Sequence, residues 1–298
     1  MKTTALSIMT GLISTAALAE GPAGFTELSF EAPHHGRAVN GAIWYPAAGG
    51  GDAILYGDNP VFHGTPAMED ADLAAGSFPV VLMSHGLGGN IRTLSWLTAG
   101  LAERGAIVVG VNHPNSSTGD FDLLAGLAHG TRAQDLQIAL TELSSDPRFE
   151  NQFDQSRIMA AGFSYGGWTA MSLGGVTADL AAYADHCAAY QDASTHCTDI
   201  MRGGVELAEL DADAWNASYR DARITMVAAI DPALHWGLDA AHANGLLDDL
   251  QLIALGTGKD RLLATDFSAT GSGFAALVPH AKIIDIAPAN HFGALLSC

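Results

Sequence analysis

The sequence predicts one α/β domain built on a mostly parallel, doubly wound sheet. Short runs of wholly apolar residues, typical of strands that are buried on both faces of a parallel sheet, recur along the chain. Between these runs, leucine and alanine residues repeat at the three- to four-residue spacing of a helix face. Alternation of this kind places helices on both faces of a single sheet.

The elements follow one another in a regular order. Two N-terminal segments, residues 25–31 and 39–45, have the composition of edge strands. Buried strands are expected over residues 79–83, 106–111, 157–161, 224–230, 250–255 and 281–286. Helix faces are marked by Leu94, Leu97 and Leu101, then by Ala133, Leu136, Leu140 and Leu143.

Two segments stand outside this alternation. Residues 1–19 have the positive start, short apolar run and small-residue ending of a signal peptide, with cleavage expected after Ala19. The mature domain would then span residues 20–298 and be exported to a periplasm or beyond. Residues 178–222 lose the strand rhythm, and we interpret them as a small cap inserted into the domain.

The composition excludes some classes of partner. The chain has 298 residues with 13 Lys+Arg against 32 Asp+Glu, a formal net charge of −19. Such a charge repels phosphate backbones, so nucleic acid is not an expected partner. The apolar run near the N-terminus is shorter than the roughly 20 residues that a membrane span needs, so no stable membrane insertion is expected. The oligomeric state is not legible in the sequence.

The chain contains three cysteines, and an oxidising compartment would favour one disulfide and one remaining thiol. Pairing of Cys187 with Cys197 is the first expectation, because the two residues share one segment. Pairing of Cys187 with Cys298 stays open as the second, because spacing alone does not fix connectivity.

The sharpest motif is Gly162-Phe163-Ser164-Tyr165-Gly166, which stands directly after a predicted strand and directly before a helix. The small residues around Ser164 allow the tight, strained turn that exposes a nucleophilic serine at the carboxyl edge of a sheet. We therefore expect Ser164 to be a nucleophile. The alternative is a glycine-rich helix start with a capping serine.

A serine hydroxyl needs a base to take its proton and a carboxylate to orient that base. His291 follows the last predicted strand and is the expected base. Two carboxylates compete for the third role, because Asp231 and Asp260 each follow a predicted strand. We favour Asp260, which follows the strand just before the one that leads to the histidine; Asp231 before Pro232 would otherwise suit a helix N-cap.

The remaining site predictions concern charge stabilisation and substrate contact. Backbone N–H groups of Leu87, in the glycine-rich turn 85–89, and of Tyr165 are expected to form an oxyanion hole. Trp168 and Trp236 are candidates for apolar pocket walls, although core packing is as good an interpretation for each. No cofactor is expected. A metal site from His34, His35 and His63 lacks recognisable ligand spacing, so no metal is expected either.

Together, residues 79–89, 110–114, 146–167, 230–232 and 290–292 resemble the α/β-hydrolase superfamily. Within it, the chain is similar to exported bacterial proteins described as dienelactone-hydrolase-like, which are relatives of platelet-activating-factor acetylhydrolases and of cutinase-type polyester hydrolases. The resemblance implies a Ser-Asp-His triad and an acyl-enzyme mechanism without a cofactor. One departure matters: true dienelactone hydrolases carry a cysteine where this chain has Ser164, which argues against that specific activity. The acetylhydrolase relatives place their acid after the earlier strand, so Asp231 stays open as the acid.

The expected function is hydrolysis of carboxylic esters, of small-molecule or lipid-like substrates, with the cap selecting what enters. A thioester, lactone or amide hydrolase with the same triad is the first alternative. The second, from another class, is a non-catalytic exported binding protein on the same fold.

Overall fold

The computed structural model describes residues 21–191 and 193–294 of the chain. The predicted signal peptide, its cleavage site after Ala19, and Cys298 lie outside the described residues. The strands are β1 Gly24–Ala32, β2 Arg37–Tyr45, β3 Ala47–Gly49, β4 Asp52–Tyr56, β5 Thr65–Glu69, β6 Asp72–Leu73, β7 Phe78–Ser84, β8 Ile107–Asn112, β9 Ser116–Ser117, β10 Asp120–Phe121, β11 Phe153–Phe163, β12 Met226–Ile230, β13 Leu250–Leu255 and β14 Lys282–Ile286. The α-helices are α1 Ser95–Ala102, α2 Leu123–Gly126, α3 Gly130–Ser145, α4 Tyr165–Gly174, α5 Leu180–Ala189, α6 Thr195–Arg202, α7 Ala212–Asn216, α8 Ala240–Ala243 and α9 Phe274–Leu277.

Ten strands form one sheet in the order β14-β13-β12-β11-β7-β8-β2-β1-β5-β4. Six neighbouring strands of this sheet run parallel to one another: β14, β13, β12, β11, β7 and β8. Strand β2 is antiparallel to both β8 and β1. The register aligns Gly162 at the end of β11 with Ser84 on β7 and with Ala229 on β12. The carboxyl ends of these three strands therefore meet at one place on the sheet, where ligands bind in folds of this type.

The expected mostly parallel, doubly wound α/β fold is confirmed, but one detail of the sheet differs. The prediction that residues 25–31 and 39–45 are edge strands was wrong: β2 lies between β8 and β1, and β5 pairs with β1 on the far side. The edge on that side is β4, which pairs with β5. The β4 and β5 segments are short and largely exposed or half-buried, so they lack the apolar rhythm that marks a buried strand.

Alternate side chains of the central strands serve two apolar layers. On β7, Val80 and Leu82 pack with α3 and α4 on one face, and Val81 and Met83 pack on the other face. Helix α4 is buried along its whole length, because it is covered by β11, β12 and α3. Its sequence, which contains three glycines and no charged residue, fits this enclosed position.

Residues between α4 and β12 form a helical layer in the region that the sequence analysis interpreted as a cap. It contains α5, α6 and α7, and Asp179 and Asp211 cap the first turns of α5 and α7 by accepting backbone N–H groups. A disulfide joins Cys187 on α5 to Cys197 on α6, which is the pairing expected first from the sequence. Within the described ranges, no helix has the length and apolar character to cross a membrane.

Candidate active site

Ser164 stands in the sharp turn between β11 and α4 with a positive φ of 57°, a conformation that costs a non-glycine residue free energy. The surrounding glycines make the turn possible. A Cβ on Gly162 would overlap the carbonyl of Gly166, and a Cβ on Gly166 would overlap the Ser84 carbonyl on β7. A Cβ on Gly167 would lie 3.0 Å from the Cα of Pro232. The strand, turn and helix that the motif predicts are all present, and the turn is strained at the serine itself.

His291 begins a short 3-10 helix after β14 and is almost fully buried. Its Nδ1 lies 2.6 Å from Oδ2 of Asp231, and its ring packs against Phe163 with the ring centroids 4.5 Å apart. Because an ionised carboxylate only accepts hydrogen bonds, this contact assigns the proton of neutral His291 to Nδ1. Nε2 is then left with a lone pair that can accept a proton.

Asp231 is placed and satisfied by three groups. Its Oδ1 accepts the Leu255 N–H at the end of β13 at 3.1 Å, and its Oδ2 accepts the Thr265 hydroxyl at 3.0 Å as well as the His291 Nδ1–H. The residue is fully buried, and its φ of 47° turns the chain sharply after β12. Three hydrogen bonds to one carboxylate fix its orientation toward the imidazole.

The structure therefore differs from the preferred assignment of the acid. Asp260 lies in an exposed 3-10 helix, Gly258–Asp260, and among the described residues its side chain makes no hydrogen bond to His291. The physical reason lies in strand order: β12 is the direct neighbour of β11, so the loop after β12 begins beside Ser164. The helix N-cap alternative for Asp231 is not met either, because its carboxylate accepts Leu255 N–H rather than the start of a helix.

Leu87 and Tyr165 both face the same cavity as Ser164 and His291. Within the described part of the chain, the N–H groups of Leu87 and Tyr165 donate no hydrogen bond. The two backbone segments are close, since a Cβ on Gly86 would lie 3.3 Å from Cβ of Ser164. Two unpaired donors beside a strained serine are the arrangement that can stabilise an oxyanion.

The cavity has a volume of about 360 Å³. Its floor is the turn after β7 together with the Ser164 turn, and its walls include Thr195, His196 and Asp199 of α6. Helix α6 carries Cys197 of the disulfide, so the helical layer between α4 and β12 borders the site. The polar and apolar walls are compatible with a small or medium organic substrate.

Neither tryptophan that the sequence analysis considered lines this cavity. Trp168 is fully buried in α4, where the ring of His129 meets it edge-on with ring centroids 5.5 Å apart. Trp236 donates its indole N–H to the Leu263 carbonyl and stacks on His186 at 4.2 Å. Both tryptophans pack in the core, which was the alternative interpretation of each. Trp168 is fully buried in the apolar core and is not among the residues that line the cavity.

A buried cation supports the turn that carries Leu87. The guanidinium of Arg132, on α3, donates to the His85 carbonyl, to the hydroxyls of Ser84 and Ser116, and to Thr169. It also lies over the ring of Tyr165, 4.7 Å from the centroid. Burial lowers the pKa of Arg132 to about 10, so the group stays charged at neutral pH. One side chain thus joins the turn after β7 to the helix after Ser164.

Beside Arg132, a hydrogen-bonded chain of Ser84, His113 and Asp135 is enclosed in the protein. Ser84 Oγ lies 2.9 Å from His113 Nε2, and His113 Nδ1 lies 2.8 Å from Oδ2 of Asp135. All three side chains are fully buried. Burial, and to a smaller extent the nearby Arg132 charge, lowers the pKa of His113 to about 4, so this imidazole is neutral at pH 7.

Arg132 and Asp135 were not predicted from the sequence, although the sequence contains a signal for them. Both fall on the same helical stripe as Leu136, Ala139 and Leu140, so they occupy the buried face of α3. Charged residues on an apolar face are rarely buried without partners. Two charged residues on the apolar face of one helix therefore indicate a buried polar network.

Comparisons with known proteins agree with this architecture. A family model described as platelet-activating factor acetylhydrolase, isoform II, matches residues 60–146. A solved structure described as ferulic acid esterase from Streptomyces cinnamoneus matches with a TM-score of 0.55 at 19% identity, covering 91% of this chain and 74% of that one. No curated protein matches the sequence. The strand order, the strained turn at Ser164 and the structural match lead to one conclusion: the chain has the α/β-hydrolase fold.

Proposed function

We propose that the chain is a serine hydrolase that cleaves carboxylic esters through an acyl-enzyme intermediate. The hydrogen bond between His291 and Asp231, beside the strained Ser164 in one cavity, is the observation that carries the proposal. The esterase fold neighbour and the acetylhydrolase family match point to the same class of enzyme. The roles are Ser164 as nucleophile, His291 as base and Asp231, in place of Asp260, as the orienting acid.

In the first half-reaction, Ser164 Oγ attacks the ester carbonyl while His291 Nε2 accepts the hydroxyl proton. The carbonyl oxygen becomes negatively charged, and the N–H groups of Leu87 and Tyr165 donate hydrogen bonds to it. The C–O bond to the alcohol breaks, and His291 returns the proton to the leaving oxygen. The products are a free alcohol and an acyl group attached to Ser164.

In the second half-reaction, His291 Nε2 accepts a proton from water, and the hydroxide oxygen attacks the acyl carbonyl. The bond to Ser164 Oγ breaks, the serine recovers its proton from His291, and the acid leaves. Asp231 stays ionised throughout and stabilises the imidazolium that forms twice per cycle. No step requires a cofactor.

We further propose that the helices between α4 and β12 act as the cap that selects the substrate. Thr195, His196 and Asp199 of α6 support this role, because they line the same cavity as Ser164. The size of the cavity favours short and medium acyl chains over long ones. Export with cleavage after Ala19 remains part of the proposal, and the Cys187–Cys197 disulfide is compatible with an oxidising compartment.

The test is turnover of p-nitrophenyl acetate, butyrate and palmitate by the mature protein, beside Ser164→Ala and the control Ser145→Ala. Ser145 is an exposed serine at the end of α3, and it does not line the cavity. We expect Ser164→Ala to lose at least about 10⁴-fold in kcat and Ser145→Ala to lose nothing.

Two other outcomes contradict the proposal in different ways. Turnover of thioesters, lactones or anilides with inactivity toward esters would retain the triad and change the substrate class. Absence of turnover, together with absence of labelling at Ser164 by a fluorophosphonate probe, would indicate a non-catalytic binding protein.

A further inference from the structure

We propose that His34, His35 and Asp135 form a binding site for a divalent transition-metal ion, with Zn²⁺ the best match to the donors. None of these three residues lines the catalytic cavity, so the site is separate from the proposed ester chemistry. Two imidazole nitrogens and one carboxylate oxygen are ligands that Zn²⁺ takes in proteins. The inference concerns metal binding only and is independent of whether esters are cleaved.

The donor atoms already converge. Nε2 of His34 and Nε2 of His35 lie 2.8 and 3.0 Å from the same oxygen, Oδ1 of Asp135, and the three ligand atoms all lie within 4.8 Å of one another. Ligand atoms bonded to a tetrahedral ion at about 2.0–2.1 Å lie roughly 3.3 Å apart. The two distances from a histidine nitrogen to the carboxylate oxygen are a few tenths of an ångström shorter than this, so small side-chain rotations would admit the ion.

The backbone holds both histidines toward α3. They occupy the turn between β1 and β2, where the N–H of His35 donates to the Ala32 carbonyl at 2.9 Å and Gly36 closes the turn with a φ of 64°. Their rings lie 4.3 Å apart at 48°. Asp135 approaches from the buried face of α3, so the ligands come from two elements that are each fixed independently.

The carboxylate is supported from behind. Asp135 Oδ2 accepts the His113 Nδ1–H at 2.8 Å, and His113 Nε2 in turn faces the Ser84 hydroxyl. This pair leaves Oδ1 directed at His34 and His35. Metal sites commonly show such hydrogen bonds to a ligating carboxylate, which set its orientation.

The site has a route to solvent on one side. The side chains of His34, His35 and Asp135 are 16%, 4% and 0% exposed, so accessibility increases from the carboxylate to His34. His34 also lines an open groove of about 670 Å³ with Gln134 and Gln137 of α3. An ion can enter through this groove, and a water molecule from it can supply the fourth ligand of a tetrahedral site.

The test is direct titration of the purified mature protein after chelator treatment. Zn²⁺ binding is followed by calorimetry, and Co²⁺ binding by the visible absorption of a tetrahedral Co²⁺ ion. We expect one equivalent with a dissociation constant in the micromolar range or below, and a rise in melting temperature with Zn²⁺ concentration. His34→Ala and His35→Ala should each weaken binding by about 10- to 100-fold or more.

Matched variants locate the ion. His63→Ala removes an exposed histidine elsewhere, and His291→Ala removes the proposed catalytic base; neither change should affect the stoichiometry or affinity. Circular dichroism checks that each variant is folded. The proposal is overturned if the wild-type protein binds no stoichiometric ion, or if His34→Ala and His35→Ala bind Zn²⁺ as tightly as the wild type.

Discussion

Asp231 Oδ2 and His291 Nδ1 lie 2.6 Å apart across 60 residues of sequence, at the carboxyl edge of the sheet. The contact is formed by the loops that follow β12 and β14, with β13 between the two strands. It is buried, and the two other hydrogen bonds that Asp231 accepts prevent its carboxylate from turning away.

This contact predicts which carboxylate matters for turnover. Asp231→Asn should reduce kcat by about 10⁴-fold, because an amide at this position favours the wrong imidazole tautomer and lacks the negative charge that stabilises the imidazolium. Asp260→Asn should leave kcat within about twofold, since Asp260 is exposed on its own 3-10 helix. Steady-state kinetics with p-nitrophenyl butyrate measures both; a large loss in Asp260→Asn alone would reverse the assignment.

The crowding behind Ser164 predicts a glycine that cannot be changed. Gly166→Ala should abolish activity and lower the melting temperature, because its methyl group would overlap the Ser84 carbonyl on β7. Gly100→Ala is the control: it lies within α1 with only the flexible Arg104 side chain nearby, so alanine should be neutral or stabilising by about 1 kcal/mol. Thermal melts and kcat values of both variants decide the matter, and a stable, active Gly166→Ala would refute the described packing.

Arg132 is predicted to act on the transition state through the backbone that it holds. Arg132→Met should lower kcat by about 100-fold with little change in KM, since the turn that bears Leu87 loses its anchor at the His85 carbonyl. Arg132→Lys keeps the charge but not the forked donors, so it should recover only part of kcat. Arg104→Met, at an exposed arginine, is the matched control. A rise in KM at constant kcat would assign Arg132 to substrate binding instead.

Burial of His129 predicts acid sensitivity of the fold. Its Nε2–H donates to the Trp215 carbonyl, and burial lowers its pKa to about 4 from an ordinary value near 6.5. The unfolded state therefore takes up the proton first as the pH falls, so stability is present above pH 6.5 and is lost between about pH 6.5 and 4. The full loss from this group is roughly 3 kcal/mol.

Urea unfolding at pH 7 and pH 4.5 measures that loss. His129→Gln keeps a donor for the Trp215 carbonyl and removes the titration, so its unfolding free energy should fall less between the two pH values than that of the wild type. Equal pH dependence in the two proteins would show that His129 does not contribute.

The disulfide predicts a local effect on the inserted helices. Replacing Cys187 and Cys197 by alanine should cost at most about 3 kcal/mol, because the bond closes a short loop with a sequence separation of 10. Hydrogen exchange should increase in α5 and α6, and KM should rise because α6 lines the cavity. Cys298→Ala should leave both measurements unchanged. Equal hydrogen-exchange rates in α5 and α6 of the double variant and the wild type would mean that other contacts hold these helices.

The sequence predicted the central sheet, the Ser164 turn and the histidine after the last strand, because each carries a local signal: an apolar run, a glycine-bounded serine or a position after a strand. The choice between Asp231 and Asp260 depended on strand order, which no local pattern contains. The peripheral strands β4 and β5 were missed because they are short and only partly buried.

The Arg132 and Asp135 network was missed for a different reason. Its members come from β7, the loop after β8 and α3, and they become neighbours only when the domain is folded. His34 and His35 similarly contact Asp135, which is about 100 residues away in the sequence. From the sequence alone they had been considered as metal ligands together with His63. Long-range polar contacts of this kind leave only a weak trace, a charged residue on an otherwise apolar helix face.

The enclosed chain of Ser84, His113 and Asp135 bears on how catalytic sites are recognised in folded proteins. Its hydrogen bonds have the order expected of an activated serine, yet the Ser84 hydroxyl has no exposed surface and no substrate can reach it. A search for catalytic machinery that considers interatomic distances alone would therefore select an inert serine in this chain. Covalent chemistry separates the two, because an electrophilic inhibitor should leave a single adduct, on Ser164.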